Sequence, residues 1–198
     1  MTIKKEYHIR QGVQKAYSDA ALHPNRKHPF PVGRRFAESI GYPAYLLDEF
    51  PSISIDVFSG VSNVSIFAEI REGSRVLDLG CGAGLDSLIA SRRTGPHGKV
   101  IGIDFSREML SRAHLARVEA GLSNITLLQA DAENLPVAKA VIDVVLINGI
   151  FNLNPHRDDI FRELARVLKQ GGSVYTAELV LDKPLPPEMR DNTENWFA

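Results

Sequence analysis

Arg75-Val-Leu-Asp-Leu-Gly-Cys-Gly-Ala-Gly-Leu-Asp86 is the stretch whose reading decides the fold. Val76, Leu77 and Leu79 form a short apolar run suited to a buried parallel strand, and the run stops at Gly80. Gly80, Gly82 and Gly84 then make a turn with almost no side chain, which lets the backbone come close to a ligand. Leu85, Leu88, Ile89 and Ala90 give the following helix its apolar side, and its N-terminal amides point at whatever occupies the turn. Strand, glycine turn and helix in that order form a unit for a nucleotide-like ligand.

The spacing argues for a particular kind of nucleotide. A dinucleotide fingerprint reads G-x-G-x-x-G, and its last glycine falls on Leu85. The glycines here alternate instead, with Asp78 two residues before the first. A ligand without a pyrophosphate leans less on the helix dipole, and one that carries a positive charge favours a nearby carboxylate.

Downstream, Arg92-Arg93-Thr94-Gly95-Pro96 stops the helix, and Lys99 to Asp104 is the second strand. Asp104 falls twenty residues after Gly84, where a parallel sheet presents an acid to ribose hydroxyls, and its two oxygens can take both. Ser106 is a good N-cap for a helix running to about Ala120, with Met109, Leu110, Ala113 and Ala116 facing inward. Ile125 to Asp131 is the third strand, again closing on an acid, and Val141 to Ile147 the fourth, followed by Asn148-Gly149. Asp159 to Leu168 reads as a helix, Lys169-Gln-Gly-Gly172 as its stop, and Ser173 to Leu181 as a fifth strand. The order β, α, β, α, β, β, α, β predicts an α/β fold with a doubly wound, mostly parallel sheet flanked by helices.

At Asp78-Leu-Gly-Cys-Gly-Ala-Gly84, and at the acids that close strands two and three, the chain resembles the class I S-adenosylmethionine (AdoMet)-dependent methyltransferases with a Rossmann-like fold. The resemblance covers roughly Phe36 to Pro187. It implies AdoMet as cofactor, methyl transfer to a small-molecule acceptor, and a cofactor site built from Asp78, Gly80, Cys81, Gly82 and Gly84 with Asp104, Phe105 and Met109. It further implies that Asp131 accepts the adenine amino group, that the Ala132 amide meets a ring nitrogen, and that Asn148 reaches the methionine part. No catalytic base is implied; Asn148, Tyr17 and Tyr42 are candidates for the substrate side.

Several stretches resemble the arsenite methyltransferases within that family: Gly41-Tyr-Pro, Phe58-Ser-Gly-Val-Ser-Asn63, Gly84-Leu-Asp86, Ile147 to Leu153 and Leu179 to Pro187. Those enzymes hold a soft metalloid on cysteine thiolates. Here Gly149 and Val61 stand at two such positions, and Cys81, the one cysteine of the chain, lies inside the glycine turn. An acceptor other than arsenite is therefore expected. Two rival readings are an AdoMet-binding module without catalytic activity and a nicotinamide-dependent oxidoreductase, the latter opposed by Leu85.

Composition agrees with one globular α/β unit: 198 residues, 44% hydrophobic, 24% charged, net charge −1. That balance draws the chain neither to nucleic acid nor to an anionic membrane. One cysteine excludes an intrachain disulfide, and the six histidines show no metal-ligand spacing, so no metal is expected. The first residues, Met-Thr-Ile-Lys-Lys-Glu-Tyr, lack an apolar export core, which points to the cytoplasm. Residues 1–72 read as a helical extension or lid, with a helix from Glu6 to Leu22, a basic proline-rich loop from His23 to Arg35, two short helical pieces between Phe36 and Phe50, and a last helix from Val64 to Ile70. Residues 73–198 read as the AdoMet-binding core. Asp182 to Ala198, rich in proline and acids, is expected to leave the sheet at five strands, with an exposed edge through which the chain self-associates.

Overall fold

The protein, seen in a computed structural model, is described over residues 3–183. A parallel sheet runs through its centre: β1 (Arg75–Leu79), β2 (Lys99–Asp104), β3 (Ile125–Gln129), β4 (Ile142–Asn148) and β5 (Leu168–Ala177), in the order β3-β2-β1-β4-β5. All four pairings are parallel. The winding direction reverses between β1 and β4, and in an open α/β sheet that reversal leaves a crevice beyond the carboxyl ends of those two strands.

Alternation along β1 sorts its residues between two apolar layers. Val76 packs with Leu85, Leu88 and Ile89 of α6 (Leu85–Thr94) and with Ala116 of α7 (Arg107–Glu119). Leu77 and Leu79 pack on the other face with Ile160, Leu164 and Val167 of α8 (Arg157–Val167). Asp78 shares the α6 face with Val76, and this alternation carries an acid beneath the glycine turn.

The N-terminal residues fold onto this core. α1 (Ile3–Leu22) buries Ile9 and Val13, each contributing roughly 1.5–3 kcal/mol by burial, and packs on α7. Ser18 of α1 donates to Glu108 at 2.7 Å, and Arg112 of α7 donates to the carbonyls of Ala21 and Ile53 at 3.1 and 3.0 Å. Four short helices follow: α2 (Arg34–Ser39), α3 (Ala44–Leu47), α4 (Ser52–Ile55) and α5 (Val64–Phe67). Ala37, Leu47, Ile55 and Val64 of these helices, with Tyr42 between α2 and α3, belong to the same apolar cluster as Val76 and Leu88.

Several boundaries differ from the sequence reading: β3 ends at Gln129, two residues short of Asp131, and α5 ends at Phe67, short of Ile70. β5 begins at Leu168 and ends at Ala177, because β4 advances from Ile142 to Val144 while β5 runs from Leu168 to Ser173, a bulge that absorbs the Lys169 to Gly172 stop signal. α4 was not anticipated; Pro51 stands at its N-cap and starts a turn of four residues. The expectation for residues 182–198 falls almost wholly outside the described residues. Among the described residues no helix is long and apolar enough to cross a membrane.

Candidate functional site

At the end of β1 the chain leaves through Gly80, Gly82 and Gly84, with φ of 76°, 52° and 88°. A side chain at Gly80 would strike Ile150, whereas a Cβ on Gly82 would meet nothing within 4 Å. The turn is thus closed on one side and open on the other. β2 fixes it: the amides of Gly80 and Cys81 donate to the Ile103 carbonyl at 2.8 and 3.0 Å. Asp104 accepts the Gly82 amide at 2.9 Å on one oxygen and the Ser106 amide at 2.8 Å on the other. Ser106 caps α7 as anticipated, its hydroxyl accepting from the Met109 amide at 3.2 Å.

Three acids crowd this turn. Burial pushes the Asp104 carboxyl up to about 6, against the opposing pull of its backbone donors Ser106, Gly82 and Phe105. Asp78 accepts from the Ser87 hydroxyl at 2.6 Å, and burial, followed by the charge of Asp86, raises its carboxyl. Asp86, in the first turn of α6, accepts from the Tyr42 hydroxyl at 2.5 Å, the Ser65 hydroxyl and the Asn148 amide at 2.9 Å. Burial raises it as well, though these donors pull the other way. Burial, then the charge of Asp78, pushes the Cys81 thiol well up, which leaves it a poor nucleophile.

The three acids line a narrow cavity of about 80 Å³, and none of the described residues lining it is Lys, Arg or His. Buried charge without a counter-charge is costly, so a ligand that brings positive charge relieves the site. Beside it opens a second cavity of about 670 Å³, which shares Gly80, Asp104 and Phe105 with the first. Its walls come from α1, through Tyr7, Arg10, Gln11, Val13 and Gln14, and from the end of β3 onward, Gln129 to Glu133. Together the two have the layout of a cation pocket joined to a larger room.

The residues nominated from sequence divide between them. Asp78, Gly80, Cys81, Gly82, Gly84, Asp104, Phe105, Met109 and Asn148 line the first, and Asp131 and Ala132 the second. Asn148 also has partners within the protein. Its Oδ1 accepts the amides of Val61 and Ser62 at 2.7 and 3.1 Å, and its Nδ2 donates to the Ser62 carbonyl at 2.7 Å and to Asp86. The side chain staples the segment after Gly60 to the tip of β4, and does not present a free amide. Tyr42 is likewise a support, 2% exposed and bonded to Asp86. Tyr17 does line the cavity, stacked on Phe30 at 4.5 Å; burial, then the charge of Asp104, pushes its phenol up to about 12, so it stays neutral.

Gly149 and Val61, the two positions compared above with cysteines, do face each other: a Cβ on Gly149 would stand 2.8 Å from Val61 Cγ2. Sequence reasoning missed Asp86, Arg10 and Glu178. Glu178, just beyond β5, accepts the amides of Ile150 and Phe151, both at 3.1 Å, and shapes the loop between the cavities.

Comparison with known proteins adds relatives to this geometry. A profile described as "Methyltransferase domain" matches residues 70–197. The chain is 35% identical over 156 residues to the arsenite methyltransferase of Halobacterium salinarum, covering 78% of this chain and 39% of that protein. It is 42% identical over 125 residues to the demethylmenaquinone methyltransferase of Lactococcus lactis, covering 63% of this chain and 49% of that protein. Among solved structures, the arsenic (III) S-adenosylmethionine methyltransferase of Chlamydomonas reinhardtii superposes with a TM-score of 0.62 at 30% identity, over 79% of this chain and 52% of that one. The chain thus spans less than half the length of the two sequence relatives.

Proposed function

The chain belongs to the methyltransferase domain family, and from that premise we propose that it is an AdoMet-dependent methyltransferase acting in the cytoplasm on a small-molecule acceptor other than arsenite. The observation that carries this reading is the cavity with Asp78, Asp86 and Asp104 in its wall and no basic side chain among its described lining residues. When bound, the cofactor supplies a methyl group on a positively charged sulfur that is its own good leaving group. The residues of the chain have four tasks around it. Asp104, with lone pairs left after its two amide bonds, accepts the ribose hydroxyls. Gly82 leaves room for the close approach of the ligand. Asp78 and Asp86 balance the cation, and Asp131 with the Ala132 amide meets the adenine in the larger cavity. Approach and alignment then carry the rate, an effect that reaches effective molarities of about 10⁵–10⁸ M.

An acceptor other than arsenite is supported by Gly149 and Val61, neither of which carries a thiol, and by the burial of Cys81 in the turn. The lid role of residues 1–72 is supported by the wall that α1 gives the larger cavity. Self-association through β5 is supported by its place at the sheet edge and by Leu179, Val180 and Leu181, exposed just beyond it. Light scattering at micromolar concentration should then give a mass above that of the monomer.

The function is tested by incubating the chain with methyl-labelled AdoMet and a panel of small acceptors that includes arsenite. Label transfer to an organic acceptor, with none to arsenite, supports the reading. Methylated arsenic would overturn the acceptor class. AdoMet binding with no transfer to any acceptor would favour the silent binding module instead.

A further inference from the structure

The larger cavity contains a contact that its ligand-binding role alone does not explain. Arg10, from the middle of α1, reaches across to donate to Asp131 Oδ1 at 2.6 Å, joining residues 121 apart in the chain. Its other terminal nitrogen lies 3.2 Å from Glu133 Oε1, and that oxygen also accepts from Asn154 Nδ2 at 3.0 Å. The guanidinium is a planar fork, so two acids braced at its two ends hold each other in place. It is the one basic side chain among the described residues lining this cavity. The Asp131 side chain is 57% exposed, and an acid so open would otherwise turn among its rotamers in water. The bond to Arg10 engages Oδ1 and leaves the acceptor lone pairs of the second oxygen for a donor. Glu133 Oε2, buried and without a hydrogen-bond partner, adds a spare acceptor to the same wall.

We infer that Arg10 is a positioning residue of the cofactor site, which aims the Asp131 carboxylate at the amino group of a 6-aminopurine and so gives the N-terminal helix a part in choosing the base. This rests on the proposed cofactor reading and extends it to a residue outside the matched domain.

The test compares S-adenosylhomocysteine with S-inosylhomocysteine, which carries an oxo group in place of the purine amino group. Affinities are measured by calorimetry for the full chain and for Arg10→Met, Arg10→Lys and Asp131→Ala, each checked for cooperative melting. Arg10→Met should weaken the amino compound about three- to fivefold, the scale of a partly exposed ion pair, and leave the inosyl compound unchanged. Arg10→Lys, which keeps the charge without the fork, should fall between. On an Asp131→Ala background, Arg10→Met should have no further effect. Equal weakening of both compounds would reduce Arg10 to a piece of wall and overturn the inference, as would no weakening of either. If the unaltered chain binds neither compound, the cofactor reading itself fails and the inference falls with it.

Discussion

Asp104 closes β2 and Asp131 lies two residues beyond the neighbouring β3, yet their surroundings are nearly opposite. Asp104 is 8% exposed, held by two backbone amides and raised by burial to about 6. The Asp131 side chain is 57% exposed and braced by one long, half-exposed arginine. Two residues of the same type near the carboxyl ends of neighbouring strands therefore have unequal influence on a ligand. A hydrogen bond to a charged group in a dry site is worth about 1.5–3 kcal/mol, whereas an exposed charge pair is worth about 0.2–1 kcal/mol. Placement at a strand end nominates an acid, and desolvation decides how much it matters.

Asp104→Asn should show the largest effect. It removes one charged acceptor from the buried site, and AdoMet affinity measured by calorimetry should fall roughly 10- to 100-fold with the fold retained. A loss no greater than that of Asp131→Asn would break the comparison.

Asn148→Ala should come next, with an effect on stability. It strips Asp86 of a donor and leaves the Val61 and Ser62 amides without their acceptor, at a cost of about 1–3 kcal/mol. Differential scanning calorimetry should record a fall in Tm of about 2–10 °C. An unchanged Tm would mean that the staple at the tip of β4 contributes nothing.

Dependence on pH probes Asp104 without any substitution. The Asp104 value of about 6 lies above its ordinary 3.8, so its contribution to stability is full below the unfolded value and is lost as pH rises through about 6. On its account the empty protein should melt higher at acid pH than at alkaline pH. Cofactor affinity should run the opposite way, falling up to about tenfold per pH unit below about 6 as the acceptor takes a proton. Affinity that is flat across that window would place the ligand away from Asp104. Asp131→Asn should give the smallest change, about fivefold or less in affinity at neutral pH.

Much of the sheet was legible in the sequence because its signals are local. The apolar run Val76 to Leu79, the alternating glycines and the Ser106 cap each lie within a few residues of the structure they specify. The β5 start was misplaced for the same reason: Gly171 and Gly172 read as a stop, and only pairing with β4 turns the stop into a bulge. The supports of the site are non-local. Asp86 meets Tyr42 across 44 residues and Asn148 across 62, and nothing in its spacing distinguishes a buried hub from an acid favoured by the helix dipole in a first turn. Likewise Arg10 lies on a helix whose periodicity shows an apolar face and gives no sign of an acid waiting across the crevice.

Titration of the intact chain with AdoMet and, separately, with NAD bears most directly on the claim that the buried acids around the glycine turn accept a cationic nucleoside. Saturable heat with AdoMet at one site per chain, and none with NAD, is the predicted result. Binding of NAD, or no heat with AdoMet from a protein that still melts cooperatively, would contradict it.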